Sequence, residues 1–186
     1  VSDDGIEWDK PDLGLFPQFG DKHRNMVLAP DEPISHNFSP FLDTRPGVPT
    51  DERFKALGGG SESWSEGTGL YALVSADGIH WKSYPAGNWI PRNDSSSPCL
   101  WDPGLGKYVA HVRHNADTPL GNERQVMQNE SDDLVNWTEY GVIMKADDED
   151  PIGHRQFYEM PWMNYENLYL GFMSVYHLLP ERDKQT

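Results

Sequence analysis

A seven-residue segment recurs along this chain, and its repetition constrains the fold more than any other feature. It reads SDDGIEW from Ser2, SADGIHW from Ser75 and SDDLVNW from Ser131. Asp followed by Gly favours a tight turn, and Ser and Asp side chains can bond backbone N–H groups within the same loop. Repetition of one turn predicts repetition of one supersecondary unit. Because Leu134 replaces the Gly in the last copy, we expect that turn to be of a different type.

Short strand-like runs separate the copies, and each complete unit holds four of them. In the first unit they read FSPFLD, RFKALGG, GLYALVS and HWKSY, bounded by Gly and Pro. The predicted units span 36–91 and 92–146, a further one starts at 154 and runs to 186, and 1–20 is interpreted as the outermost strand of an earlier unit. We expect an all-β fold, a partial β-propeller with about three blades or parts of blades. A β-sandwich and an irregular β-solenoid are the alternatives.

Composition narrows the class of protein. The chain of 186 residues contains 7 Trp, 8 Tyr and 7 Phe, which favours a packed core over disorder. A formal net charge of −15 repels phosphate and anionic lipid, so we expect neither nucleic acid nor a membrane as partner. No signal peptide or membrane span is predicted. The single cysteine, Cys99, allows no intrachain disulfide and is expected to be buried.

The motifs taken in order resemble a known family. NFSPFLDTRPGVPTDERFKALGG, SPCLWDPGLGKYVAHVRH and FYEMPWMNYENLYLGFMSVYH, with the turn SADGIHW, look like the five-bladed β-propeller glycoside hydrolase superfamily that contains families 32 and 43. They are most similar to a poorly characterised bacterial branch of it. The resemblance covers nearly the whole chain.

This resemblance implies a glycosidase that cleaves an oligo- or polysaccharide with three carboxylates placed around a central funnel. It implies no required cofactor and leaves open a Ca²⁺ ion on the propeller axis. The bacterial cytoplasm, the periplasm and secretion remain open as locations, and so does the oligomeric state. We expect a carbohydrate substrate as the partner.

Two carboxylates are candidates for the chemistry. Aligning the units on a shared proline brings SHNFSP, NDSSSP and FYEMP together as the starts of the innermost strands. Glu159 is similar to the general-acid Glu of the resembled families, and the flanking Tyr158 and Trp162 could exclude water from it. Asp94 is the candidate partner carboxylate that orients or stabilises. A solvent-facing strand position for Glu159 and a simple turn for Asp94 are the alternatives.

The same alignment predicts residues that bind sugar hydroxyls. They lie at or beside the starts of the innermost strands or, for Arg113, on the second strand of a blade: His36, Asn37, Arg92, Arg113, Tyr158 and Trp162. In KYVAHVRHN, strand alternation places His111 and Arg113 on one face, where a buried blade would have to satisfy them. A core or interblade role is the alternative for each of them.

Several other polar residues are interpreted as structural. Asp43 in FLDTRPG and Asp102 in LWDPGLG have strong turn chemistry, and His80 is expected at the surface. The acidic run 147–150 is interpreted as a solvated loop because EF-hand spacing is absent, so no metal site is predicted. The base or nucleophile stays unassigned, and the resemblance would place it in a blade before Val1.

Two rival functions fit the same sequence. One is a noncatalytic propeller that binds carbohydrate or protein through its aromatic residues, with Trp64, Trp89, Trp101 and Trp162 as the candidates. The other is an inactive fragment. A carboxylate pair opening into one funnel would favour the hydrolase over both rivals.

Overall fold

The computed structural model describes residues 1–59, 69–84, 90, 95–119, 121–151, 156–166 and 168–177. In this part of the chain the fold is all-β, as predicted, and the helical segments are short 3₁₀ turns. They are Pro17–Phe19, Asp21–His23, Pro33–Ser35 and Thr50–Glu52. No described helix has the length and hydrophobicity needed to cross a membrane.

Two antiparallel four-stranded sheets form the centre of the fold, and in both of them each strand pairs with the next one in sequence. The first sheet consists of β1 (Ser39–Leu42), β2 (Phe54–Gly59), β3 (Leu70–Ser75) and β4 (Lys82–Ser83). The second consists of β5 (Cys99–Asp102), β6 (Lys107–Thr118), β7 (Gly121–Ser131) and β8 (Trp137–Met144). These strands lie where the short strand-like runs bounded by Gly and Pro predict them.

A third layer, which we call the third hairpin, follows the second sheet. Its strands are β9 (Phe157–Glu159), β10 (Trp162–Tyr165), β11 (Leu168–Gly171) and β12 (Ser174–Val175). β10 pairs with β11 and β9 with β12. Two backbone bonds continue the pairing across the break, from Phe172 N to Pro161 O and from Tyr176 N to Gln156 O, each 2.8 Å. The segment is therefore one long hairpin interrupted at Met160 and Pro161.

The opening segment differs from its prediction. Residues 1–20 contain no strand, so the interpretation of this stretch as an outermost strand is wrong. Pro11, Gly14 and Pro17 break any run long enough to pair, because Pro lacks a backbone donor and Gly weakens a strand. Leu15 and Phe16 instead line a groove beside the turn that links β3 to β4.

The hydrophobic core lies between the first and second sheets. Leu57 and Ala72 of the first sheet and Tyr108 and Ala110 of the second belong to one buried cluster. Cys99 is buried in the same cluster, as expected. Alternate residues of β6 point the other way, toward the third hairpin, so both faces of that strand are covered. The described strands form stacked sheets, and a closed propeller ring is not among the features of the described residues.

Candidate functional site

The first strand of each layer begins at the same end of the stack. The Oγ atom of Ser39, in β1, accepts a 3.2 Å hydrogen bond from the backbone N–H of Ser97, just before β5. Gln156, just before β9, donates from Nε2 to the carbonyl of Asn122 at the start of β7, at 3.1 Å. We call this the upper end, and the end where β3 and β7 finish the lower end.

All three repeated turns share one set of hydrogen bonds. In each turn the Oδ1 atom of the third residue, which is Asp4, Asp77 or Asp133, accepts two backbone N–H groups at 2.7–3.0 Å. The Trp indole donates to the carbonyl of the residue after the Asp at 3.0–3.1 Å. Gly5 and Gly78 have φ of 76°, and Leu134 has φ of 64°. The prediction of a different third turn is therefore wrong, because Leu134 adopts the left-handed conformation itself.

The turn carboxylates are held in the ionised form. The His80 side chain and the backbone N–H groups of His80 and Ile79 hold the pKa of Asp77 well below its usual range. For Asp133, partial burial acts in the opposite direction but is outweighed by bonds from Asn136, so its pKa falls to about 2. His80 is exposed, as predicted. Carboxylates fixed in this way at the lower end are structural and are poor proton donors.

At the upper end, the structure brings several predicted site residues together between the second sheet and the third hairpin. The guanidinium carbon of Arg113 lies 4.9 Å from the ring centroid of Tyr158, and that of Arg124 lies 5.7 Å from the same ring. Arg113 is 7% exposed. Burial lowers its pKa, while a hydrogen bond to the Tyr158 hydroxyl and the charge of Glu159 act in the other direction.

His111 and Trp162 form the next contact along this layer. Their rings stack with centroids 4.9 Å apart and planes 26° apart. His111 Nδ1 lies 3.3 Å from the carbonyl oxygen of Met160, and burial lowers the His111 pKa. The prediction that His111 and Arg113 share one buried face of β6 is confirmed. Their partners come from the third hairpin, about fifty residues further along the chain.

Glu159 is half-buried in β9, where it pairs with Ser174. It is close enough to Arg113 to favour the charged guanidinium, yet it joins none of the ion pairs of the described residues. Its predicted partner Asp94 and the predicted binding residue Arg92 lie outside the described residues. The separation of the two candidate carboxyl groups is therefore not part of the described geometry.

His36 and Asn37 lie at the upper end of the first sheet. His36 is exposed, and its carbonyl accepts the N–H of Gly59 at 2.7 Å. Asn37 has φ of 54°, and its buried Nδ2 atom has no hydrogen-bond partner among the residues described. Because Arg113 faces away from the first sheet, the second sheet separates these two residues from the cluster around Tyr158.

A further carboxylate at the upper end escaped the sequence analysis. Glu123, in β7, is 7% exposed and pairs across the strands with Ala116. Within the described part of the chain its carboxylate takes part in no ion pair or side-chain hydrogen bond. The sequence does contain a signal for it. Glu123, Gln125 and Met127 are every second residue of GNERQVMQNES, and this spacing predicts that their side chains lie on the same face of the sheet.

The carboxylates interpreted as turn residues are confirmed in that role. Asp102 Oδ1 accepts the N–H groups of Gly104 at 2.7 Å and Leu105 at 3.1 Å. Asp43 Oδ1 accepts the N–H of Arg45 at 2.9 Å. In the acidic run, Asp147 Oδ1 accepts the N–H of Glu149 at 2.8 Å.

The aromatic residues of the rival function are placed in part. Trp101 packs edge-on against Tyr108 at 5.1 Å, and Trp162 is buried. Trp64 and Trp89 lie outside the described residues. The rings of the two placed indoles therefore pack against neighbouring side chains.

No family model matches this chain, and no curated protein is significantly similar to it in sequence. The cluster offers two guanidinium groups, one imidazole, one half-buried carboxylate and several aromatic rings. Such a set can bind polar, acceptor-rich ligands and can transfer a proton at Glu159.

Proposed function

We propose that this protein is a glycoside hydrolase of the β-propeller type, with Glu159 as the general acid. The observation that carries the proposal is the position of Glu159 at the upper end of the stack, half-buried and beside Arg113 and Tyr158. In this proposal each four-stranded sheet is one blade and the third hairpin begins another.

The arrangement suits glycosidic chemistry for two reasons. Cleavage needs a carboxylic acid that protonates the leaving oxygen, and a half-buried carboxyl group on a rigid strand can hold that position. Sugars are recognised through hydroxyl groups and through their apolar ring faces, which arginine and tyrosine side chains can contact. A second carboxylate is required, and Asp94 remains the candidate for it.

The experiment is a glycan hydrolysis screen with the whole chain and with Glu159→Gln. We expect the substitution to lower the rate on natural glycosides by about 10²–10⁴-fold, since the amide cannot donate the proton. Aryl glycosides with a good leaving group should be spared, because their departure needs no acid. Glu139→Gln, at an exposed position of β8, is the matched control. Equal activity of Glu159→Gln and the wild type on natural glycosides would remove Glu159 from the mechanism.

A noncatalytic carbohydrate-binding role is the second candidate. It is favoured by the exposed aromatic side chains of the third hairpin, namely Tyr165, Tyr169, Phe172 and Tyr176. Aromatic rings open to solvent on one hairpin can stack on sugar rings without any catalytic carboxylate. Glycan binding without turnover in the wild type would select this role over hydrolysis.

A further inference from the structure

Arg124 differs from the ion-paired cations of this acidic chain. Arg24 bonds Asp12 and Asp21, Lys55 bonds Asp43, and Lys107 bonds Glu130. Arg124, by contrast, donates from Nη1 to the neutral amide oxygen of Gln156 at 2.7 Å. Among the described residues it has no carboxylate partner, although Asp and Glu outnumber Lys and Arg by 30 to 15.

A second guanidinium lies close by. Burial lowers the pKa of Arg113, and the charge of Arg124 lowers it further. Both lie over the ring of Tyr158, and Arg124 also lies 5.7 Å from the centroid of Tyr176. The two aromatic rings restrict the guanidinium group of Arg124 to one position.

Two buried donors in the same layer lack an acceptor. The Nε atom of Arg124 and the indole Nε1 of Trp162 are buried and have no hydrogen-bond partner in the part of the chain that the structure describes. Trp162 stacks on His111, which packs on the same face of β6 as Arg113. Buried donors without acceptors are costly, so a ligand that supplies only acceptors would relieve them.

We propose that the Arg113–Arg124 pair binds the carboxylate of an acidic sugar, so that the substrate is an oligosaccharide containing uronic acid. A carboxylate is planar, accepts two hydrogen bonds side by side and matches a guanidinium fork. With a net charge of −15 the protein repels acidic glycans at long range, so recognition of one needs a local pair of cations. This inference rests on the proposed function, since it names the substrate of that site.

The test compares ligands that differ in one group. Trigalacturonate and galactotriose share ring stereochemistry, and only the first carries carboxylates at C6. We expect the whole chain to bind trigalacturonate at least about tenfold more tightly in calorimetry, with an affinity that falls as salt rises. Equal affinity for the two ligands, or binding of neither, would overturn the proposal. Tighter binding of a 6-sulfated galactotriose than of trigalacturonate would overturn it in favour of a sulfate site.

Variants assign the binding to the arginine pair. Arg124→Gln should lose about tenfold or more of the trigalacturonate affinity, and Arg124→Lys should recover only part of it because it keeps the charge without the fork. Arg53→Gln is the matched control, since Arg53 is exposed and lies over Phe54 at 4.8 Å in the first sheet. Unfolding curves of each variant separate lost binding from lost folding. A folded Arg124→Gln protein with wild-type affinity would contradict the assignment.

The outcomes separate this inference from the proposed function. Tight trigalacturonate binding without any hydrolysis would support the acidic-sugar site and contradict the hydrolase. Hydrolysis of neutral glycans together with no preference for uronate would support the hydrolase and contradict the acidic-sugar site.

Discussion

The hydroxyl of Tyr108 in the second sheet donates a 2.7 Å hydrogen bond to Oδ2 of Asp43, the residue that follows β1 in the first sheet. The same oxygen lies 3.0 Å from Nζ of Lys55, and the side chains of both charged residues are at most 1% exposed. One carboxylate therefore closes a turn, neutralises a buried lysine and joins the two sheets. Burial and this hydrogen bond raise the pKa of Tyr108, so the phenol remains a donor at any physiological pH.

Removing this carboxylate should destabilise the fold strongly. Asp43→Ala removes the nearer counter-charge of the buried Lys55 ammonium and leaves it with the Glu52 carboxylate at 3.7 Å. We expect a loss of about 3 kcal/mol in the free energy of unfolding, the lower end of the range for breaking a buried ion pair. Tyr108→Phe removes only the hydrogen bond and should cost about 1–3 kcal/mol. Urea denaturation measures both, with Asp51→Ala at an exposed position as control. A cost below about 1 kcal/mol for Asp43→Ala would contradict a buried ion pair.

Substitutions at the left-handed residue of the repeated turn should change stability for different reasons in different copies. Gly78→Ala places a side chain at φ of 76° and should cost about 1 kcal/mol through backbone strain alone, because the added Cβ meets Phe54 at an ordinary 3.6 Å.

Leu134→Gly relieves similar strain but empties a core position that is 1% exposed. We expect a net loss of about 1–3 kcal/mol, because the buried leucine contributes more than its conformation costs. Thermal or urea unfolding distinguishes the two effects. Stabilisation by Leu134→Gly would show that strain dominates at this turn.

His111 should make stability depend on pH. Because burial lowers its pKa in the folded protein, the unfolded chain binds more protons than the folded one below about pH 6.5. The stability that neutral His111 contributes is therefore complete above that pH. It is lost as the pH falls toward the lowered pKa of His111 in the folded protein. His111→Gln should show a shallower loss of unfolding free energy between about pH 7 and pH 5 than the wild type. A wild-type slope in His111→Gln would contradict a buried, neutral His111.

Local features of this protein follow from the sequence alone. Ser, Asp and Trp lie within seven residues in each repeat, so the hydrogen bonds of the turn are encoded by neighbouring residues. The strands β1 to β8 follow from short strand-like runs between Gly and Pro, and the shared face of His111 and Arg113 follows from the period of two along β6. Even so, the sequence does not predict the left-handed conformation of Leu134, because the core that holds this side chain is built from residues distant in the chain.

Tertiary structure alone decided which distant groups meet. Asp43 and Tyr108 are 65 residues apart, and Arg124 is 32 residues from the Gln156 amide that it bonds. No local pattern indicates such pairs, since burial, ion pairing and pKa depend on which layers stack and on which face each strand presents. The opening residues show the same limit, because a strand forms only where another strand offers it a backbone partner. Turns and periodicity are encoded within a few residues, whereas the site is made where separate layers pack together.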